Sequence, residues 1–271
     1  MRIVLVRPTL SKIGFLRATQ FRLTWLPIDV IYFTRFFLIC LTSFLINTQL
    51  IAHTLVIGTV TYDPPLESVF DKKGDLVGFE IELMDEICKR LQETCTYQLM
   101  SFKQILSDIR MGAIDLAIAG ITINEERKLT YLFSLPYLES KAQLIAGRSA
   151  INKLSDVEGK RLGVEIDSVF QAMAKDKFKS ITLVEYETQN QLYQALANGE
   201  VDSIVLDQTS AQYWVANNGM LFKLVGDGIA LGEGFGIIAN IKSTELINRI
   251  NNILITMEND GTYVAIYQKY F

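Results

Sequence analysis

The sequence predicts an α/β protein of two lobes, each a doubly wound, mainly parallel sheet, and three features of the chain carry that expectation. From Thr54 to Ala119 apolar strand-like runs alternate with amphipathic helices, the order that a parallel sheet with crossover helices requires. The same alternation begins again at Arg161 and continues to Asn218. The glycine-dotted run from Gly232 to Gly236 then leads into Ile237 and Ile238, a strand placed to return the chain to the first lobe. The expected boundaries are residues 53–145 with 234–271 for the first lobe and 146–233 for the second.

Thr54 to Val60 is apolar and β-branched, as a buried strand is, and Pro64-Pro65 fixes the backbone that ends it. Gly78 precedes a helix from Phe79 to Gln92, with Phe79, Leu83, Ile87 and Leu91 on one face. Its acids Glu80, Glu82, Asp85 and Glu86 fall early and Lys89 and Arg90 late, which suits the helix dipole; most of these acids read as a solvated face. Thr96 to Leu99 is the next strand, and Ser101 with Gln104 forms a capping-box pattern for a helix through Met111. The stretch Gly112 to Tyr137 holds a turn, an apolar strand Leu116 to Ala119, a break at Gly120, and then Thr122, Asn124 and Arg127. Lys141 to Ala146 and Arg161 to Glu165 are strands, and Ser168 with Gln171 repeats the capping-box pattern. Ile181 to Tyr186, Gln189 to Ala197, Ser203 to Leu206 and Gln208 to Asn218 complete another strand and helix unit. From Ser243 onward the chain reads as two packed helices separated by a stop at Gly261.

The 271 residues are 49% hydrophobic, enough to fill the core of one large domain or two modest ones. The net charge of −4 hides an asymmetry, because the first 52 residues carry Arg2, Arg7, Lys12, Arg17, Arg22 and Arg35 against Asp29 alone. The remainder therefore carries −9 and lacks the basic face that a nucleic-acid partner needs. Phe36 to Ile46 is an apolar run behind Arg35, shorter than the ~20 residues of a membrane crossing. Basic flank, apolar centre and small Ala52 make a secretory signal peptide cut after Ala52, with a retained anchor as the alternative. The stretch ahead of Arg35 is long for a basic region, which puts the translation start nearer Ile31. Leu38 and Ile39 are bulky for lipid modification at Cys40. Cys88 and Cys95 fall at a helix end and a strand start, within reach of each other, and an oxidising compartment would join them as a disulfide. A structural zinc site would need four ligands, and no second cysteine pair exists.

A strand that ends at Gly120 and delivers a hydroxyl and a guanidinium reads as a pocket wall. The planar fork of Arg127 matches a carboxylate, although pairing with Glu125 or Glu126 on a solvated turn is open to it as well. Asp207 stands where a cap for the helix opening at Gln208 is expected. His53 is the sole histidine and sits at the cleavage point, which excludes histidine acid-base or triad chemistry. The Gly232 to Gly236 run lacks the strand-before, helix-after setting of a dinucleotide loop, so no cofactor is expected.

Four groups of residues carry a family resemblance. They are Gly78-Phe79-Glu80-Ile81-Glu82-Leu83 with Ile87, Cys88 and Leu91; Gly112 to Asp115 with Ala119 to Ile123, Glu126-Arg127, Phe133-Ser134 and Pro136-Tyr137; Val157 to Val164; and Asn198 to Asp202 with Asp207, closing on Asp260 to Tyr263. With them, everything after Ala52 resembles the periplasmic amino-acid-binding proteins of ABC importers, solute-binding protein family 3, similar to the histidine- and lysine/arginine/ornithine-binding proteins. The resemblance implies a two-lobed periplasmic-binding-protein fold (type II) with a free amino acid held in the cleft, no catalysis, a membrane permease as partner and a monomeric state in the periplasm. It implies that Arg127 clamps the α-carboxylate, helped by backbone donors at Thr122 and at the helix start after Ser168. It implies that Asp207, the Gly120 carbonyl and the Thr122 hydroxyl take the α-ammonium. A Cys88 to Cys95 disulfide matches some members.

The departures from the family bear on the ligand. Asp63 stands where relatives place an aromatic residue over the ligand side chain, with Tyr62 displaced by one. Glu165 stands at an apolar or amide position, and Val169 and Phe170 replace small hydroxyl or amide residues. If both acids face the cleft, the ligand side chain is cationic, since a desolvated carboxylate needs a partner. Arginine, lysine or ornithine is thus expected ahead of histidine, glutamine or an acidic amino acid. The rival is an exported enzyme on the same scaffold, cyclohexadienyl dehydratase-like, with Glu165 as general acid.

Overall fold

The computed structural model describes residues 54–69, 75–147 and 151–271. The expected signal peptide, its cleavage point after Ala52, Cys40 and His53 lie outside these residues. The first half runs β1 (Thr54–Thr59), a hairpin of β2 (Ser68–Val69) and β3 (Leu76–Val77), α1 (Phe79–Leu91), β4 (Thr94–Leu99), α2 (Phe102–Met111), β5 (Leu116–Ala117), α3 (Glu125–Lys128) and β6 (Tyr131–Phe133). The second runs β7 (Lys141–Gly147), β8 (Arg161–Glu165), α4 (Val169–Lys177), β9 (Thr182–Tyr186), α5 (Gln189–Ala197), β10 (Ser203–Asp207), α6 (Gln208–Asn217) and β11 (Phe222–Ala230). The chain then closes with β12 (Ile238–Asn240), α7 (Thr244–Asn259) and α8 (Thr262–Tyr267).

Two five-stranded sheets share one layout. The first has the order β4-β1-β5-β12-β6 and the second β9-β8-β10-β7-β11. In each, the first three strands are parallel, and the fourth, β12 or β7, runs against the other four. Those two reversed strands are the ones that carry the chain into a sheet from the other half. Because β7 pairs with β10 and β11, the outgoing crossing precedes Lys141 and not residue 145, where the sequence boundary falls. The reason is the continuous burial of Ala142 to Ala146, which only a strand flanked on both sides satisfies. The crossings are stitched at Phe235, whose N–H donates to the Leu138 carbonyl while its own carbonyl accepts from Tyr137 N–H.

Helices cover both faces of each sheet. Leu55 and Ile57 of β1 point into a core shared with α1, α7 and α8, whereas Val56 packs with the α2 side, as the two-residue period of a strand requires. The second sheet has the same two-sided burial. α2 starts at Ser101, whose hydroxyl accepts the Gln104 N–H. Cys88 and Cys95, at the end of α1 and the start of β4, form a disulfide.

Candidate ligand-binding site

The parallel strands of both sheets end at one place, the position that an open α/β sheet reserves for ligands. Val60 and Asp63 follow β1, Ala119 and Gly120 follow β5, Glu165 ends β8, and Asp207 ends β10. Together with Phe102, Thr122, Arg127, Ser168, Val169, Phe170 and Gln189 they line one narrow cavity. It brings together Arg127, Asp207, Thr122, Gly120, Ser168, Val169, Asp63 and Glu165 from the sequence-derived set. Tyr62 is absent from this lining, and its ring meets Trp214 edge-on at 6.0 Å. Adjacent residues of extended chain point to opposite sides, so the turn that sends Asp63 inward sends Tyr62 outward.

One end of the cavity is built of donors. Asn124 caps α3 by accepting the Arg127 N–H at 2.8 Å, which fixes the root of the arginine. The guanidinium lies over the Phe102 ring at 5.2 Å and donates to the carbonyls of Thr122 and Asp167, each at 3.2 Å. It is nearly buried, and burial lowers its pKa to about 10. Among the described residues it makes no salt bridge; Glu125 instead pairs with Lys128, so the solvated-turn pairing does not form. Asp167 leads into the start of α4, where the Ser168 hydroxyl donates to the Glu165 carbonyl and Gln171 accepts the Asp167 N–H. The expected capping box is therefore not made, because both side chains serve the preceding loop. The first N–H groups of α4 are left open beside Arg127, and a helix start of this kind favours an anion.

The other end is built of acceptors. Asp207 occupies the N-cap position of α6 yet makes no cap hydrogen bond. Its carboxyl turns to the cavity, with Oδ1 buried and unpartnered, and Oδ2 only 3.3 Å from where a Gly120 side chain would begin. Gly120 also adopts φ +55°, so both backbone and space demand glycine there. Burial, and then the neighbouring Asp63, push Asp207 well above the usual carboxylate range. Asp63 is pushed up to about 7, chiefly by burial and against the hydrogen bond that it accepts from Ser210 Oγ. Glu165 is pushed up to about 8 by burial and then by Asp63, and its carboxyl makes no hydrogen bond among the described residues. Thr122 Oγ1 lies 2.9 Å from Ser140 Oγ, at the crossing between the halves.

Several contributors escape sequence reasoning, Val60 and Ala119 beside the strand ends among them. Phe102 and Gln189 line the cavity without any local signal. Glu80, grouped with the solvated acids, is fully buried and accepts from Gly120 N–H at 2.9 Å and from the Tyr137 hydroxyl, so it positions the glycine. The signal was present: Glu80, Met84, Ile87 and Leu91 follow a helical 4-3-4 spacing, and all four are buried. Next to it, Glu67 is pushed well above the carboxylate range by burial and then by Glu80.

Two sheets of matching layout, joined by paired crossings around a cavity with donors at one end and acceptors at the other, define a two-lobed solute-binding protein. The family model for bacterial extracellular solute-binding proteins, family 3, matches residues 55–271, and the chain belongs to that family. It is similar to the putative ABC transporter arginine-binding protein 2 of Escherichia coli strain K12, 30% identical over 224 residues that cover 81% of this chain and 91% of the relative. It is similar also to the lysine/arginine/ornithine-binding periplasmic protein of the same strain, 31% identical over 229 residues, 81% and 88% of the two chains. Among solved structures, an arginine 3rd transport system periplasmic binding protein from Legionella pneumophila matches with a TM-score of 0.75 at 36% identity, covering 80% of this chain and 99% of that one.

Proposed function

We propose that this protein captures one free L-amino acid with a cationic side chain, arginine, lysine or ornithine, and delivers it to an ABC importer from the periplasm without chemical change. The observation that carries the reading is the polarity of the cavity: a guanidinium that, among the described residues, has no carboxylate partner at one end, and a buried carboxyl oxygen of Asp207 orphaned among them at the other. A zwitterion completes both. Its carboxylate takes Arg127 and the open N–H groups of α4, and its ammonium takes Asp207. Glu165, whose carboxyl makes no hydrogen bond among the described residues, then asks for a second positive charge, which the side chain supplies. The names of the relatives support the same ligand class. A micromolar complex needs only about −8 kcal/mol, within reach of these charged clamps.

Thermal shift of the mature protein against the full set of amino acids tests the reading. A large shift with arginine, lysine or ornithine is expected, and no shift with any amino acid overturns it. Glu165 favours a second reading, since a carboxylic acid held near pH 8 could act as a general acid on a cyclohexadienyl amino-acid precursor. Turnover of such a precursor by the native protein, lost in Glu165→Gln, would establish that reading instead.

A further inference from the structure

Asp63 stands on a stiff base. It opens a tight turn in which its N–H donates to the Glu67 carbonyl at 3.0 Å and its carbonyl accepts from Leu66 and Glu67 at 2.9 and 3.1 Å. The turn follows β1 and belongs to the first half. Its carboxylate, however, is met from the second half. Ser210, the third residue of α6, donates its hydroxyl to Asp63 Oδ1, and the Gln189 side chain, at the head of α5, supports the same carboxylate. Asp63 and Ser210 are both buried. The Asp63 carboxylate thus lies by the start of α6, where the helix dipole favours a negative charge. The bond joins a turn of one half to a helix of the other, so separating the halves breaks it. Glu165, also buried, differs in having no side-chain hydrogen bond among the described residues, which leaves its carboxyl for a ligand.

We propose that Asp63, Ser210 and Gln189 form a latch across the cleft that holds the two lobes together and sets how long a ligand stays, leaving the choice of ligand to Glu165. This deepens the amino-acid-binding reading and rests on it for the second arm of the test alone. Ser210 is a positioning residue, acting through Asp63. Losing it removes one hydrogen bond to a charged group and weakens closure for every ligand alike.

The first arm uses no ligand. Spin labels on Lys103→Cys and Lys175→Cys, on opposite sides of the cleft mouth, report the distance between lobes by double electron–electron resonance. Ser210→Ala is expected to shift the distribution to longer distances, and so is Asp63→Ala. Asp63→Asn, which keeps an acceptor for Ser210, and Glu165→Gln are expected to retain the shorter one. The second arm is stopped-flow dissociation of arginine and of glutamine. Ser210→Ala is expected to speed both about tenfold, the loss of one charge-assisted hydrogen bond, with their ratio unchanged, while Glu165→Gln changes the ratio. An unaltered distance distribution in Ser210→Ala overturns the latch. So does a change in the arginine-to-glutamine ratio as large as that from Glu165→Gln. Failure of the wild type to bind any amino acid would remove the functional reading and leave the distance arm to decide the latch.

Discussion

The first half brings Gly120, Thr122 and Arg127 to the cavity from one continuous stretch, each held by a hydrogen bond: Gly120 by Glu80, Thr122 by Ser140, and Arg127 by Asn124 and two carbonyls. The second half brings Glu165 and Asp207 from the ends of two separate strands; among the described residues the Glu165 carboxyl makes no hydrogen bond, and Asp207 Oδ1 is buried and unpartnered. The same strand layout thus carries a preorganised donor on one side and uncompensated acceptors on the other. Binding energy differs accordingly: the first half offers geometry already in place, and the second offers relief of a buried charge or of the proton that neutralises it.

The largest effect is expected at the fixed donor. Arg127→Ala should weaken arginine binding by about 4 kcal/mol, roughly a thousandfold, as loss of a buried charge partner does. Calorimetric titration measures this, and circular dichroism should show the fold intact. Asp207→Asn keeps an acceptor oxygen and should cost less, about 2 to 3 kcal/mol or roughly a hundredfold. The two differ more sharply without ligand. Removing the buried acid at 207 should raise the melting temperature, whereas Arg127→Ala, which vacates two backbone hydrogen bonds and the face of Phe102, should not. Equal melting shifts in the two variants would mean that the halves do not differ as described.

Glu165 supplies a smaller, pH-dependent effect. A carboxyl whose pKa rises on folding holds a proton that the unfolded chain has already lost, so stability is greatest below the ordinary value and falls as pH climbs to about 8. Without ligand the protein should therefore lose stability between about pH 4.5 and pH 8, and Glu165→Gln should flatten that slope. A cationic ligand needs the carboxylate ionised, so its affinity should climb over pH 6 to 8.5, by at most about tenfold per unit for each proton released. Titration in buffers of different ionisation enthalpy counts those protons, and a count of zero would detach Glu165 from the ligand.

The same contrast explains what the sequence makes legible. α1, α2 and the central strands have strong periods and flanking glycines or caps, and they fall where those patterns put them. β11 does not: among the described residues it pairs with β7 alone, a bulge between Val225 and Ile229 at two glycines breaks its alternation, and the sequence assigns no element between Asn218 and Gly232. At the site, Arg127 and Asp207 are visible as residue types at strand ends, but the choice between cap and ligand group is not local. Ser168 and Asp207 both carry capping chemistry and neither caps, because a neighbouring carbonyl claims the one and the cavity the other. Glu80 is hidden by its charge, since only Gly120 and Tyr137, distant in sequence, make its burial affordable.

The smallest effect on binding is expected from the disulfide, although its effect on stability is not small. In the parallel register of β1 and β4, Leu55 stands opposite Cys95, so the bond lies at the start of β1. Asp63 lies past the other end of that strand, eight residues after Leu55. The bond closes a short loop, with Cys88 and Cys95 separated by 7 in sequence, which is worth about 2 to 3 kcal/mol in the chain-entropy model. Paired Cys88→Ser and Cys95→Ser should therefore lower the unfolding free energy measured by denaturant titration by that amount and leave the affinity for arginine unchanged within about twofold. Should affinity fall with stability, the geometry of the first half would depend on tension carried along α1 to Glu80 and Gly120. The donor end of the cavity would then be no more preorganised than the acceptor end.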